Sequence, residues 1–257
     1  MCTLTVVPVT GFGYRVAFNR DERPDRPPAA PPERVWTGRR WAVWPTDPAS
    51  GGTWLAVNDA GLTLALLNVN PPGRLVSPRP ISRGRVIPAV LDAGSPFDAV
   101  DQVGRAIDLQ SVSPFRLVAI GGGTVAEFCW DGRRSAIASQ LLGGRPAMFT
   151  SSGLGDHHAG PPRERLFHEM LSGRHRASAA AQDAFHRHRW PGREAVSVNM
   201  CRADARTVSH AVVEVGRDRA VFRYHPAAPD EPAVTVVREL PLAMPVGTRP
   251  APSPGVE

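Results

Sequence analysis

No lysine occurs in the 257 residues, so all 30 basic side chains are arginine. That absence removes Schiff-base and PLP-attachment chemistry, the phosphate-loop lysine and the kinase-type lysine. Cysteine is nearly as scarce. Cys2, Cys129 and Cys201 are odd in number and stand at no metal or redox spacing, which excludes an all-paired disulfide framework and a zinc knuckle. No apolar run approaches the roughly 20 residues of a membrane span. The N-terminus lacks the basic start, apolar centre and small-residue cleavage site of a secretory leader. The expectation is a cytoplasmic protein with reduced thiols and no integral membrane segment. Acidic residues are outnumbered, 24 against 30, for a formal charge of +6. The uniform arginine, with abundant Ala, Gly and Pro, reads as genomic base composition. The denser patches at Arg163–Arg176 and Arg187–Arg193 read as solvated helical faces, so no nucleic-acid partner is expected.

What is present suffices for a core: 42% of residues are hydrophobic. The length fits one domain over residues 1–240 with a Pro-rich tail at 241–257. The 27 prolines concentrate at residues 24–48, 71–96 and 226–254. The first two stretches read as long surface loops, the first spanning residues 23–50, and the last as a loose tail. Residues 3–8 and 14–18 read as an opening hairpin, and 53–58 and 62–68 as a second, turning at Asp59-Ala60-Gly61. A short helix near 82–92 is limited by Pro88. Ser95, Pro96 and Asp98 mark a better one, as N-cap, first helical residue and dipole partner. Strands are expected at 115–120, 124–130, 134–139 and 146–151, helices at 162–172 and 177–189, and closing strands at 195–200, 206–215 and 219–225. This order lacks the strand–crossover alternation of a parallel sheet. It points to an α+β fold of antiparallel sheets covered by helices.

Cys2 follows the initiator methionine directly. Methionine removal would give one residue both a thiol and a free α-amine, and the amine can act as base for its own nucleophile. Asn19-Arg20-Asp21-Glu22 ends the second strand, where a hairpin returns it beside Cys2. There Asp21 can orient the amine, and Arg20 can stabilise a thiolate or hold a substrate carboxylate. The bland alternatives are a small early residue and a solvated charge cluster.

These residues resemble a known family. The start MCTLT, then NRDE at 19–22, GGTWLAVN at 51–58, LLN at 66–68 and SRG at 82–84 are similar to the NRDE family, also called the transport and Golgi organisation protein family. That family in turn resembles the N-terminal-nucleophile (Ntn) hydrolases, particularly the penicillin V acylase and bile-salt hydrolase group. The resemblance implies a four-layer αββα sandwich of two antiparallel sheets and cleavage of non-peptide amides through an N-terminal cysteine. By position, Cys2 matches the nucleophile, Asp21 the acid that holds its amine, and Asn68 the oxyanion donor. Asn58 reads as a turn residue. The chain departs from the acylases in three places. Phe18 stands where they carry an arginine, Thr150-Ser151-Ser152 where they carry a second asparagine, and Arg206 is the loose match for a late arginine. Arg20 is the NRDE family's own arginine.

Elsewhere, Trp36, Trp41, Trp44 and Trp54 cluster around the first long loop and suggest the wall of a ligand pocket. Seven of the eight histidines fall between residues 157 and 210. They read as solvated helix residues, and neither a metal nor another cofactor is expected. Gly121–Gly123 joins two strands and reads as a tight turn, not a phosphate cradle. Cys129 and Cys201 read as buried core thiols, leaving Cys2 as the accessible one. Two functions remain open: a cysteine amidohydrolase acting on a small-molecule amide, or a non-catalytic carrier of a hydrophobic or haem-like ligand. Cys2, Arg20, Asp21 and Asn68 are the candidate catalytic residues. Trp41, Trp44, Trp54, Ser152 and Arg206 are the candidate substrate contacts.

Overall fold

Alternation along the first strand decides the layers. Leu4 and Val6 are apolar, while Thr3 and Thr5 between them are hydroxylated, so the two faces of β1 (Cys2–Pro8) need different neighbours. In the computed structural model, which describes residues 2–9, 13–70, 81–172 and 177–243, Cys2, Leu4 and Val6 join a core between two sheets. Thr3 and Thr5 face a helical layer, where they bond Arg163 and His186.

The first sheet has the order β10 (Ala147–Ser151), β1, β2 (Tyr14–Glu22), β11 (Arg206–Val215), β12 (Arg219–His225) and β13 (Val236–Pro241). The second follows chain order: β3 (Ala30–Trp36), β4 (Trp41–Thr46), β5 (Leu55–Asn58), β6 (Thr63–Asn68), β7 (Phe115–Gly121), β8 (Thr124–Trp130) and β9 (Ser135–Leu141). Every strand pairing is antiparallel. Between the sheets, Val16 and Phe18 meet Leu55, Val57, Leu67 and Val118. Tyr14 crosses that core, its hydroxyl 2.9 Å from the carbonyls of Gly61 and Ile120 and 2.8 Å from Thr63 Oγ1.

Helices α1 (Val86–Val90) and α2 (Pro96–Ala106) cover the outer face of the second sheet, with Ile87, Ala99, Val100 and Val103 packed on Leu64, Leu117 and Phe128. Helices α3 (Asp156–Leu171) and α4 (Ala179–Arg187) cover the first, through Leu166, Phe167, Leu171 and Phe185. The result is an α+β sandwich layered helix, sheet, sheet, helix. Ser95 caps α2 as expected, its Oγ accepting from the Asp98 N–H at 3.2 Å. Gly61, at φ 69°, turns the second hairpin, and Gly122 and Gly123 turn the β7–β8 hairpin.

Three expectations are corrected. The stretch at 23–50 is not one long loop but carries the β3–β4 hairpin. Its prolines Pro31 and Pro32 are tolerated because β3 is an edge strand, where a missing N–H breaks no interior ladder. Residues 195–200 form no strand, only a single 3-10 turn at Glu194–Val196. Part of the expected loose tail is β13, paired to β12. Of the loop expected at 71–96, the second half carries the helix Val86–Val90, while residues 71–80, like the tail from 244 onward, lie outside the described residues. Among the described residues, no helix is long and apolar enough to cross a membrane.

Candidate active site

Cys2 opens β1 between two strands, opposite Arg20 of β2 and Ser151 of β10. It is 7% exposed. Its backbone nitrogen donates to Ser151 Oγ at 3.2 Å. Burial raises the thiol pKa above its usual value. The Asp21 N–H at the sulfur and the Arg20 guanidinium act in the opposite direction. Sequence reasoning chose Ser152 in this region, but strand alternation gives the contact to Ser151. Ser152 is buried beside it, where its N–H donates to Asp156 Oδ1 and its Oγ accepts from the Leu154 N–H.

Asp21 lies where β2 meets β11, opposite Thr207, at a β-bulge between Thr207 and Ser209. Thr207 Oγ1 donates to its Oδ1 at 2.7 Å. Burial raises the Asp21 pKa, and the field of Arg163 is the largest opposing influence. Arg163 was read from sequence as part of a solvated patch and is instead 1% exposed. Its guanidinium donates to Thr3 Oγ1, Thr150 Oγ1 and the carbonyls of Val196 and Ser197. The signal was its helical spacing: Ala159, Pro162, Leu166 and Phe167 bury the same face of α3.

The motif asparagine Asn19 points the other way, into the helical layer. Its Nδ2 donates to the carbonyls of His186 and Val198, and its Oδ1 accepts from His186 Nδ1 and His210 Nδ1. His186 is fully buried and not solvated as expected from sequence. Burial holds His186 and His210 well below the usual histidine pKa, His210 at about 3, so both are neutral donors at neutral pH. Asn58 is also structural: it donates to Leu91 and Ala93 and accepts from Ala60 and Leu62.

Cys2, Arg20, Asp21, Trp54 and Asn68 line one cavity of about 340 Å³. Arg20 is held there by the Trp54 ring, 4.1 Å from its guanidinium carbon, and by Glu22 at 3.7 Å. Glu22, Arg26, Asp47 and Arg83 also line it, so the walls are mainly charged and polar. The GGTW and SRG segments interlock at its rim. Thr53 N–H donates to the Gly84 carbonyl at 3.0 Å, and a Cβ on Gly52 would lie 2.5 Å from the Gly84 carbonyl carbon. Only glycine permits that approach, and it presents Arg83 to the cavity. Among the described residues, no group of three or more His, Cys, Asp or Glu is placed to hold a metal ion.

The Transport and Golgi organisation 2 family profile matches residues 1–183, the span carrying Cys2, the NRDE segment, the glycine interlock and Asn68. The chain belongs to the Transport and Golgi organisation 2 family. No curated protein matches the sequence significantly. Solved Ntn hydrolases share the fold. Penicillin V acylase from Agrobacterium tumefaciens superposes with a TM-score of 0.52 at 14% identity, covering 86% of this chain and 82% of its own. The Caenorhabditis elegans ortholog of N-acylethanolamine-hydrolyzing acid amidase gives 0.55 at 15%, over 82% and 92%. A variant of the conjugated bile acid hydrolase of Clostridium perfringens gives 0.52 at 12%, over 93% and 92%.

Other sequence-predicted residues of this family member lie elsewhere. Phe18 is sealed in the core. Trp41 meets Trp36 at 5.4 Å with their rings tilted, under Arg34 on the β3–β4 hairpin, and Trp44 packs against the α1–α2 core. Arg206 pairs with Glu231 at 3.8 Å and borders an adjoining cleft that shares Arg20, Glu22 and Arg26 with the Cys2 cavity. The expected buried thiols are corrected: Cys129 is half-buried and Cys201 exposed. Cys201 follows no strand, so the apolar context inferred for it is absent.

Proposed function

We propose that this protein is a cysteine amidohydrolase cleaving the C–N bond of a small polar amide, with Cys2 as nucleophile. The observation that carries the reading is the convergence of Cys2, Asp21 and Asn68 on one polar cavity beside a strand-opening nitrogen. Removal of Met1 turns that nitrogen into the α-amine, adjacent to Ser151 Oγ. Burial of the thiol favours its neutral form, so deprotonation accompanies attack and needs a base at hand. The α-amine takes the thiol proton as sulfur bonds to the carbonyl carbon. Asn68 donates to the developing oxyanion. The amine nitrogen of the substrate leaves with the proton, and water then hydrolyses the thioester and restores the thiol. Asp21, fixed by Thr207, orients the α-ammonium between steps. The charged walls favour a polar amide over a flat apolar ligand such as haem.

Acid quenching of a single turnover, followed by peptide mass spectrometry, tests this reading. An acyl group should be found on the peptide that begins at Cys2. Substrate cleavage with the acyl group on another residue overturns it.

A further inference from the structure

The charges lining the cavity are not evenly matched. Arg20 and Arg26 share Glu22, at 3.7 and 3.6 Å, and Arg26 also pairs with Asp47. Asp21 is engaged by Thr207 and sits in the field of Arg163, behind the cavity. Arg83 differs from these arginines. Its Nη1 donates to the Pro114 carbonyl at 3.2 Å, and among the described residues no carboxylate comes within 4.0 Å of its guanidinium. It is half-buried; partial desolvation lowers its pKa, and the fields of Cys2 and Glu22, neither directly paired with it, act in the opposite direction. A half-buried cation with no directly paired carboxylate gains when a ligand supplies one. The backbone spends two close glycines, Gly52 and Gly84, on holding this arginine beside the cavity that contains Cys2.

We infer that Arg83 receives a carboxylate on the substrate, which makes the substrate class acidic amides such as N-acyl amino acids. The assignment rests on Cys2 being the reactive thiol. A guanidinium offers two parallel N–H donors to a carboxylate, and the pair gains strength where water is partly excluded. Glu22 and Asp47 line the same cavity but are directly paired with Arg20 and Arg26 instead.

Alkylation tests this without a known substrate. Iodoacetate and iodoacetamide react identically, the sulfur displacing iodide to form a C–S bond, and differ in carrying a carboxylate or an amide. Site-resolved rates at Cys2 are measured for both, with exposed Cys201 as internal reference. The iodoacetate-to-iodoacetamide rate ratio at Cys2 should exceed that at Cys201 by tenfold or more. Arg83→Gln should lower the Cys2 ratio about tenfold, since the field it exerts on the thiolate acts on both reagents alike and cancels in the ratio. Arg83→Lys should keep the ratio within threefold of wild type. If Arg83→Gln does not fold, wild-type protection decides instead: N-acetylglycine should shield Cys2 from iodoacetamide at a tenfold lower concentration than N-acetylglycinamide. An unchanged ratio, or equal slowing of both reagents, overturns the assignment while leaving Cys2 as nucleophile. A Cys2 that takes neither reagent overturns both readings.

Discussion

The backbones of Gly52 and Gly84 touch: a methyl group on Gly52 would lie 2.5 Å from the carbonyl carbon of Gly84. The contact joins two sequence motifs that lie far apart in the chain and sets the rim on which Arg83 stands. Gly52→Ala must push these backbones apart, and overpacking of this kind costs about 1–3 kcal/mol. Urea denaturation should show that loss. Gly104→Ala is the contrasting case, since Gly104 lies in α2 with nothing within 4 Å of its added methyl. That change should be neutral or stabilise by up to about 1 kcal/mol.

Asn68→Ala removes the proposed oxyanion donor and should cut turnover by about 10²–10³-fold, with little change in ligand affinity. Asp21→Asn should cut turnover by about 10²-fold or more, because the amine loses its ionic anchor while Thr207 keeps a partner. Both are read as kcat against KM on one amide. A change confined to KM would contradict the roles given to these residues.

The buried histidines make stability depend on pH. His186 and His210 bind protons less readily in the folded chain than the usual 6.5, His210 titrating at about 3. Above 6.5 both states are neutral and neither histidine contributes. As pH falls below 6.5 the unfolded chain takes up protons that the folded chain refuses, so stability falls through that window towards pH 3. His210 is half-buried, which reduces its share to about 1–2 kcal/mol at pH 5. Asp21, raised by burial, works in the opposite sense above its unfolded value of 3.8. Urea midpoints at pH 7.5 and pH 5 should show the loss, and His210→Gln should reduce it.

Much of this was legible in the sequence. Hairpin positions followed from Gly61 and Gly122–Gly123, and the start of α2 from Ser95, because turn and cap chemistry is local. Cys2, Asp21 and Asn68 stand out by motif, and Trp54 by its clustering with Trp36, Trp41 and Trp44 around the first long loop. Non-local facts were not legible. Proline in residues 23–50 suggested loop, since nothing in the sequence says that Ala30–Trp36 is an edge strand. The tryptophans there were close in sequence but point to different layers. Arg163 and His186 looked solvated because a charged side chain on a helix usually is. Only the fold brings Thr3, Thr150 and the carbonyls of Val196 and Ser197 to one, and Thr5 and Asn19 to the other. Ser151 displaced Ser152 because strand register, and not composition, decides which of two adjacent serines faces Cys2.

The proposed base exists only once Met1 is removed. Intact-mass analysis of protein made without an N-terminal tag should show a chain beginning at Cys2. A variant in which Met1 is retained by a bulky residue inserted after it should lose turnover while remaining folded.

The central claim is that amide cleavage depends on the Cys2 thiol. Wild type and Cys2→Ala should be assayed side by side on N-acyl amino acids, acyl-homoserine lactones, β-lactams and bile-salt-like amides. At least one amide should be hydrolysed by wild type, and Cys2→Ala should abolish that turnover while retaining the fold and most of the ligand affinity. Hydrolysis that survives in Cys2→Ala, or a wild type inert to every amide, would contradict the account.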